Sequence, residues 1–578
     1  MAEATVPPAA EQHFQAILRG DRSHARLVTL GHLLLATGSA ISHGGTTFEA
    51  WQFIAAALPS SPRPFIDVAP LLGHYFGALR YRAAATVARA AVACDPGDEE
   101  ALRALALAAL QLADWPTAEK ALDRAAHLVG PGAALVMRRL LLRYGEESVA
   151  GIGETRARLS AGLDELMACP GLKVDLVDYF AGYSSNLMLL AYHGVDDRPI
   201  LERIARLYAR IVPDFLWTSP HLPDPPAGRR RIRIGIAGSW NITSNIHYFR
   251  PLAERLDPGR FDVHVLTLLA PAAPFAPGTQ VHALPGHVGE ARRLIAALQF
   301  DILIYTDVHI DFFFYMLAAA RLAPVQALLP GHPETSGLPS LDYFIASAEA
   351  EPADGEAHYT ERLVRLPGQV TPYPRLDVAA EARLPAGVPS GARLYICAQT
   401  TYKLHPAFDD ILAAILERDD EGCLILFEMM PVEHGRTVIE RIRRRLGALA
   451  ARLVVMPRLP LPEYLALIRH GAVMLDSLHF SGGNTSFQAL QLGLPVVTAE
   501  GRFMRERMTV GMYRAIGFTD LVAATPEAYV ALAVRVATDP DFRTRCIEAI
   551  EAGLPTLLDQ QAPLAAYEAL FRGWAGVV

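Results

Sequence analysis

Cysteine is scarce in this sequence of 578 residues, which contains five, at positions 94, 169, 397, 423 and 546, with no CxxC pair. Such scattered cysteines exclude a disulfide framework and a structural zinc site, and they are typical of a reducing compartment. An excess of basic charge is also missing, because the formal net charge is −8. Without an overall basic field, a nucleic-acid-binding protein is not expected.

Long apolar runs are missing as well. The longest, such as residues 105–112, are too short to cross a bilayer, so no membrane span is expected. The first residues, MAEATVPPAAEQHF, lack the basic and then apolar pattern of a signal peptide. Apolar residues make up 51% and charged residues 20% of the chain, which is typical of a globular protein. We therefore expect a soluble, cytoplasmic protein of about two to four domains.

Residues 1–215 are predicted to form an all-helical domain, since apolar residues recur there at helical spacing. Part of this region is repetitive. Ala83, Val87, Ala90, Ala91 and Pro96 recur 35 residues later as Ala118, Leu122, Ala125, Ala126 and Pro131. Small residues at the helix contacts and a closing proline resemble the tetratricopeptide repeat, of which about two copies are predicted. A plain helical bundle is the alternative. A helical array favours a protein or peptide partner.

The chain beyond residue 215 has a different pattern. Residues 216–230, rich in proline and glycine, predict a linker. Short apolar strands then alternate with helical patterns, which predicts two doubly wound α/β domains, 231–385 and 386–578, the second ending in a helix. The predicted strands are 232–237, 261–268, 301–305, 325–329 and 343–346 in the first domain, and 394–398, 423–427, 453–456, 472–475 and 495–498 in the second.

The segment 471–500 contains the most informative pattern: an apolar strand, a turn SGGNTS at 481–486, a helical run and a second strand. Free backbone N–H groups at a helix start, together with the helix dipole, bind anions. Gly482 and Gly483 let backbone approach a ligand closely, and Asn484 and Thr485 add polar side chains. The pattern predicts a phosphate or pyrophosphate site, although a well-capped connection without a ligand would look the same.

A resemblance extends over residues 230–560. RLAPVQALLPGHPETSGLPSLDYFI at 321–345, Thr401-Tyr402-Lys403 with Pro406, Pro457 with Tyr464, and Gly483-Asn484-Thr485 are similar to motifs of glycosyltransferase family 41. This family includes the O-linked N-acetylglucosamine transferases, the SPINDLY type and the bacterial adhesin N-glucosyltransferases. It implies a GT-B fold, that is, two Rossmann-like domains, here preceded by the all-helical, tetratricopeptide-like domain. Residues 231–385 would then be the acceptor side and 386–578 the nucleotide-sugar side.

The resemblance also implies site residues. Lys403 would neutralise a diphosphate leaving group, which needs no metal. The donor is expected to contact Gln399, Thr400, Tyr464, Gly482, Gly483, Asn484, Thr485 and Gln488. Tyr464 would stack on the nucleobase. Two positions depart from the O-linked enzymes, which carry a histidine at the position of Gly483 and an acidic residue at that of Gln488. An amide still forms hydrogen bonds, but the second change affects the expected nucleotide contact.

Histidines are the candidate bases, since their pKa lies near neutrality. His247, at the start of the first helix of the α/β region, aligns with a histidine of the O-linked enzymes, and His332 lies in the Gly-His-Pro motif. Both are predicted to be catalytic, while His309 and Asp311 are weaker candidates for acceptor contact. The departing phosphate is the rival base. The pairs at 409–410 and 419–420 are not placed like a metal-binding DxD motif, so no metal is expected.

These features predict an inverting, metal-independent protein glycosyltransferase. The donor substrate would be a UDP-sugar, with glucose or N-acetylglucosamine, and no cofactor is expected. The acceptor would be a Ser, Thr or Asn side chain of a protein or peptide, with a bacterial surface adhesin or flagellin as the candidates. Two alternatives stay open: a GT-B transferase for a non-protein acceptor, and a helical-repeat adaptor with a degenerate transferase half.

Overall fold

A computed structural model describes residues 6–37, 40–43, 46–175, 186–222, 231–376, 383–429 and 431–576. The chain forms two compact units. The first consists of Met1–Leu141 with Ala168–Ser184, and the second of Leu142–Met167 with Ser185–Val578. Residues 142–167 and 186–215 therefore group with the α/β region, whereas the sequence pattern placed them in one domain with residues 1–141.

The first unit contains helices α1 to α8: Pro8–Leu18, His24–Thr37, Ala50–Ala57, Pro64–Gly77, Tyr81–Cys94, Glu99–Gln111, Trp115–Val129 and Ala133–Leu140. One short antiparallel hairpin interrupts them, with β1 at Ile41–His43 and β2 at Thr46–Phe48. The hairpin was not predicted, because its strands are only three residues long and carry no period-2 pattern long enough to recognise.

The repeat predicted in the first unit corresponds to two helix pairs, α5–α6 and α7–α8. Four of the five residues that α5 buries, Ala84, Val87, Ala88 and Ala91, recur in α7 as Ala118, Ala121, Leu122 and Ala125. This is a period of 34 residues, one fewer than the predicted 35, because burial and not residue identity sets the register. The tetratricopeptide-like arrangement of helices is as predicted.

The second unit begins with α9 (Val149–Ala168, of which Ala168 groups with the first unit), a 3-10 segment Leu187–His193 and α10 (Arg198–Ile211). A buried ion network ties these segments to the α/β region. Asp197 contacts Arg156 at 2.5 Å and Arg505 at 2.9 Å. The Arg505 guanidinium also donates to the carbonyl of Ala191 at 3.0 Å. These contacts explain why helices next to residue 215 belong with the sheets.

The first sheet has seven parallel strands in the order β5-β4-β3-β6-β7-β8-β9. The strands are Ile232–Ala237 (β3), Phe261–Thr267 (β4), Gln280–Ala283 (β5), Ile302–Tyr305 (β6), Val325–Leu328 (β7), Tyr343–Ser347 (β8) and Arg362–Leu366 (β9). Helices α11 (Thr243–Arg255), α12 (Val288–Leu298) and α13 (Phe312–Ala318) connect them. The edge strands β5 and β9 were not predicted: β5 is largely exposed, and the two arginines of β9 interrupt its apolar residues.

The second sheet has six parallel strands in the order β12-β11-β10-β13-β14-β15. They are Arg393–Ile396 (β10), Gly422–Phe427 (β11), Leu453–Met456 (β12), Val473–Leu475 (β13), Val496–Ala499 (β14) and Val522–Ala523 (β15), the last unpredicted. Its helices are α14 to α20: Phe408–Arg418, Val432–Leu446, Leu461–His470, Asn484–Gln491, Met508–Ala515, Pro526–Thr538 and Pro540–Gly553. In both sheets the first strand lies in the centre and the order reverses beside it, as in doubly wound folds.

The last helix, α21 (Ala562–Trp574), packs against the first sheet. Its Tyr567 hydroxyl donates to the carbonyl of Val370 at 2.8 Å, and the Trp574 ring stacks on Tyr343 with ring centroids 4.4 Å apart. The two α/β domains are thus joined twice, by the segment after β9 and by α21. The predicted fold, two Rossmann-like domains in the GT-B arrangement after an all-helical region, is confirmed.

Candidate active site

A cleft of about 410 Å³ opens between the two sheets of the second unit. It is lined by residues that follow strands of both sheets, where parallel α/β sheets bind ligands. The predicted site residues that line it are His332, Gln399, Thr400, Lys403, Gly483, Asn484 and Thr485. Those that do not line it are His247, His309, Asp311, Tyr464, Gly482 and Gln488.

The turn after β13 is held by Asp476, a buried carboxylate. It accepts hydrogen bonds from the Ser481 hydroxyl at 2.6 Å, the Gly482 amide at 2.6 Å and the Thr498 hydroxyl at 2.8 Å. Burial raises the pKa of Asp476, and these hydrogen bonds oppose the rise. The carboxylate therefore fixes the path of the turn that leads into α17, the helix Asn484–Gln491.

The N-terminus of α17 faces the cleft without a side-chain cap. Its N-cap residue is Gly483, which offers no acceptor to the N–H groups of the first turn. The side chains around it are held by neighbours: Asn484 Oδ1 accepts from the Tyr373 hydroxyl, and Thr485 Oγ1 accepts from Gln399 Nε2 at 3.2 Å. An uncapped helix start beside a cleft is suited to an anion.

Lys403 supplies a cation to the same cleft. It ends the 3-10 turn Thr401–Lys403 after β10, and its Nζ lies 4.4 Å from the centroid of the Phe480 ring. Burial lowers the pKa of Lys403 to about 8, and the negative charge of Asp476 limits the drop. The amine is mostly protonated at neutral pH, so a compact positive charge and the α17 N-terminus share one cleft.

His332 lines the opposite wall, in the loop after β7. Its Nε2 lies 3.3 Å from the hydroxyl of Tyr192, and its Nδ1 lies 3.6 Å from a carboxylate oxygen of Glu334. Burial holds the pKa of His332 well below its ordinary value, so the ring is neutral at pH 7. His309 lies behind it, with Nε2 at 2.9 Å from the carbonyl oxygen of Thr335. Burial lowers the pKa of His309 to about 4.

Two other predicted residues lie beside the cleft and not on its wall. His247 is half-buried on α11, with its ring centroid 6.0 Å from that of Tyr373, and burial lowers its pKa. Asp311 is the N-cap of α13 and accepts from the Phe313 amide at 3.0 Å, while its neighbour Ile310 lines the cleft. The predicted roles of His247 and Asp311 stay predictions.

A second cavity of about 300 Å³ shares four lining residues with the cleft: Ala398, Gln399, Thr400 and Tyr402. Its further lining includes Phe427 and Arg458. Tyr464 does not line it but lies behind Phe427, with ring centroids 5.8 Å apart. Gln488, one turn into α17, is 3% exposed. The predicted contact of Tyr464 with a nucleobase stays a prediction.

Several site residues escaped the sequence analysis. Tyr192 and Phe480 pack edge to face, with ring centroids 4.8 Å apart, and both line the cleft, as does Tyr248 of α11. Tyr192 comes from a helical segment that no sequence pattern places near the sheets. Asp476 could have been found, because a lone acidic residue between a buried strand and a glycine-rich turn is a common anchor for the turn.

The fold and the cleft define a GT-B protein in which an uncapped helix start of the second Rossmann-like domain lines the cleft. Residues 374–552 match the sequence profile described as Glycosyl transferase family 41. The assignment of this region to family 41, predicted from the motifs, is confirmed.

Curated relatives match part of the chain. The probable UDP-N-acetylglucosamine–peptide N-acetylglucosaminyltransferase SPINDLY of Petunia hybrida is 26% identical over 231 residues, which are 39% of this chain and 24% of the relative. The UDP-glucose:protein N-beta-glucosyltransferase of Actinobacillus pleuropneumoniae serotype 7 (strain AP76) is 31% identical over 229 residues, which are 39% of this chain and 36% of the relative. The chain thus spans about a quarter to a third of the length of these relatives.

A solved structure matches over nearly the whole chain. The Thermobaculum terrenum O-GlcNAc transferase mutant covers 96% of this chain and 98% of its own, with a TM-score of 0.64 and 22% identity. The match supports the fold, including the helices before the GT-B region. Within the described ranges, no helix has the length and apolarity needed to cross a membrane. No three His, Cys, Asp or Glu side chains of those ranges are grouped as metal ligands.

Proposed function

We propose that this chain is a protein glycosyltransferase, which moves a hexose or N-acetylhexosamine from a UDP-sugar to a Ser, Thr or Asn side chain of a protein. One observation carries the proposal: Lys403 and the uncapped start of α17 line one cleft within the family 41 region. The names of the relatives, a peptide N-acetylglucosaminyltransferase and a protein N-glucosyltransferase, support a protein acceptor and a UDP-sugar donor.

The donor would bind with its diphosphate at the α17 N-terminus, beside Lys403. Its nucleoside would extend into the second cavity past Gln399 and Thr400, which line both spaces. The sugar would then lie in the cleft near His332 and Tyr192, where an acceptor side chain can reach it. Gln488 is buried behind the site. The difference between this glutamine and the acidic residue of the O-linked enzymes would therefore act through the packing of α17.

The reaction would be a single displacement. The acceptor oxygen or nitrogen forms a bond to the anomeric carbon as the bond from that carbon to the diphosphate oxygen breaks, and the electron pair leaves with UDP. Attack from the opposite face inverts the anomeric centre. The Lys403 ammonium and the α17 N–H groups stabilise the charge that grows on the leaving oxygen. These groups do the work that a metal ion does in other transferases, so we propose metal-independent transfer.

The acceptor proton would pass to the departing phosphate. His332, the histidine on the cleft wall, has an Nδ1 shielded in the interior and an Nε2 next to the Tyr192 hydroxyl. Burial also disfavours its imidazolium form, which makes it a weak base. We therefore assign His332 to holding Tyr192 and the cleft wall, and the phosphate to accepting the proton.

Calorimetric titration of the full chain with UDP, GDP, CMP and uridine, with EDTA present, tests the donor site. Binding of UDP, but not GDP or CMP, is expected. Incubation with UDP-glucose or UDP-N-acetylglucosamine and an adhesin or flagellin fragment, followed by mass spectrometry, should then show hexose or N-acetylhexosamine on the acceptor. Binding of another nucleotide would overturn the donor. Absence of any nucleotide binding would overturn the enzyme and favour a helical-repeat adaptor.

A further inference from the structure

Tyr248 places a hydroxyl at the predicted phosphate turn from the opposite domain. The residue lies on α11 of the first α/β domain, lines the cleft and is 7% exposed. Its ring packs edge to face against Tyr373, with centroids 5.4 Å apart, and against Phe487 at 5.9 Å. These two rings fix the direction of the side chain. The hydroxyl itself is buried and has no hydrogen-bond partner in the described parts of the chain.

The hydroxyl is aimed at Gly483, the N-cap of α17. A Cβ atom built on Gly483 would lie 2.5 Å from the Tyr248 oxygen and 3.3 Å from Cζ of the same ring. The backbone at Gly483 has a φ of −98°, which any residue can adopt, so glycine is needed here for space and not for conformation. Tyr248 thus occupies the volume that a side chain at position 483 would take.

A buried hydroxyl without a partner costs free energy unless a ligand completes it. Burial raises the pKa of Tyr248 far above its ordinary value, so the group stays protonated and can donate a hydrogen bond. The nearest uncompensated acceptor would be an anion at the α17 N-terminus. An anion bound at this position would explain three features together. They are the uncapped helix start, the glycine at its N-cap and the unpartnered donor that faces this glycine.

We propose that the Tyr248 hydroxyl donates a hydrogen bond to a diphosphate oxygen of the bound donor, and so takes the place of a side chain at position 483. This inference rests on the proposed function, since the anion is the diphosphate of a UDP-sugar. It also makes donor binding depend on both α/β domains: the C-terminal domain supplies the helix start and Lys403, and the N-terminal domain supplies Tyr248.

The test compares the affinities of Y248F for UDP and for uridine. A hydrogen bond to a charged oxygen predicts about tenfold weaker UDP binding in Y248F, with uridine binding and melting temperature unchanged. Y305F is the matched control, because the Tyr305 hydroxyl is also buried and without a partner in the described residues but does not line the cleft. It should bind UDP like the wild type.

The pair with position 483 adds a second measurement. G483A should weaken UDP binding by a similar factor, because the new methyl group displaces the Tyr248 hydroxyl. The double variant Y248F/G483A should bind UDP with nearly the same affinity as the single variant that binds it less tightly, because both changes remove the same hydrogen bond.

Three results would overturn the inference. They are unchanged UDP affinity in Y248F, equal losses for UDP and uridine, or fully additive losses in the double variant. Failure of the wild type to bind UDP would instead overturn the proposed function, which separates the two claims.

Discussion

Replacement of Lys403 by methionine is the sharpest test of the proposed chemistry. Methionine keeps the length and apolar character of the side chain, so the contact with Phe480 is retained while the charge is lost. The fold should survive the change, since the amine is a buried charge without a salt-bridge partner among the described residues. The proposal therefore predicts loss of turnover in a folded protein.

The size of the loss follows from the charge removed. A unit charge about 4 Å from an anionic oxygen contributes about 4 kcal/mol at an effective dielectric constant of about 20. That corresponds to roughly a thousandfold lower kcat/KM. Without a bound donor, burial disfavours the charged form of Lys403 and lowers its pKa to about 8. A diphosphate beside the amine would raise this pKa again.

The pKa of about 8 gives the prediction a pH dependence. Below about pH 8 the amine already carries its proton, so the affinity for a UDP-sugar should be constant. Above about pH 8, the Lys403 amine must take up a proton when the UDP-sugar binds, and Kd should rise by up to about tenfold per pH unit. In K403M this rise should disappear, because no other group assigned to the diphosphate site titrates between about pH 8 and pH 9.5.

The assay measures UDP release and UDP-sugar affinity for wild type, K403M and K120M at several pH values. Lys120 is an exposed lysine of α7, and K120M should match the wild type in both measurements. The reasoning is refuted if K403M keeps kcat/KM within about threefold of wild type. It is also refuted if K403M shows the same rise of Kd with pH.

Three further predictions concern stability. D476A should lower the free energy of unfolding by about 3–5 kcal/mol in urea denaturation, because three donors lose the carboxylate they share. R505M should cost about 3 kcal/mol in the same experiment, since it removes one buried partner of Asp197, whereas R514M, at an exposed pair, should cost under about 1 kcal/mol. Burial and Asp197 raise the pKa of Glu334, so the native state binds its proton more tightly and stability falls as pH rises. E334Q does not titrate and should melt no lower than wild type at pH 8. A lower melting temperature would show that the carboxylate is ionised and paired.

The regular parts of the fold were predictable because their signals are local. Central strands such as Ile302–Tyr305 and Val473–Leu475 are continuous, buried apolar runs, and they occur where the pattern predicted them. Edge strands such as Gln280–Ala283 escaped, because exposed strands carry little hydrophobic signal. The position of α21 against the first sheet also escaped, since a helix pattern does not indicate which surface the helix covers.

The sequence by itself determined the order of elements, the glycine-rich turn at 482–483 and the lysine after β10, because these depend on residue type and short spacing. Only the tertiary structure decided which of the predicted residues share a cleft. It placed His332 and Lys403 on the cleft wall and left His247 and Tyr464 behind it. It also brought Tyr248 to within reach of Gly483, although 235 residues separate them in the chain. Contacts of that kind depend on how two sheets pack, which no local pattern encodes.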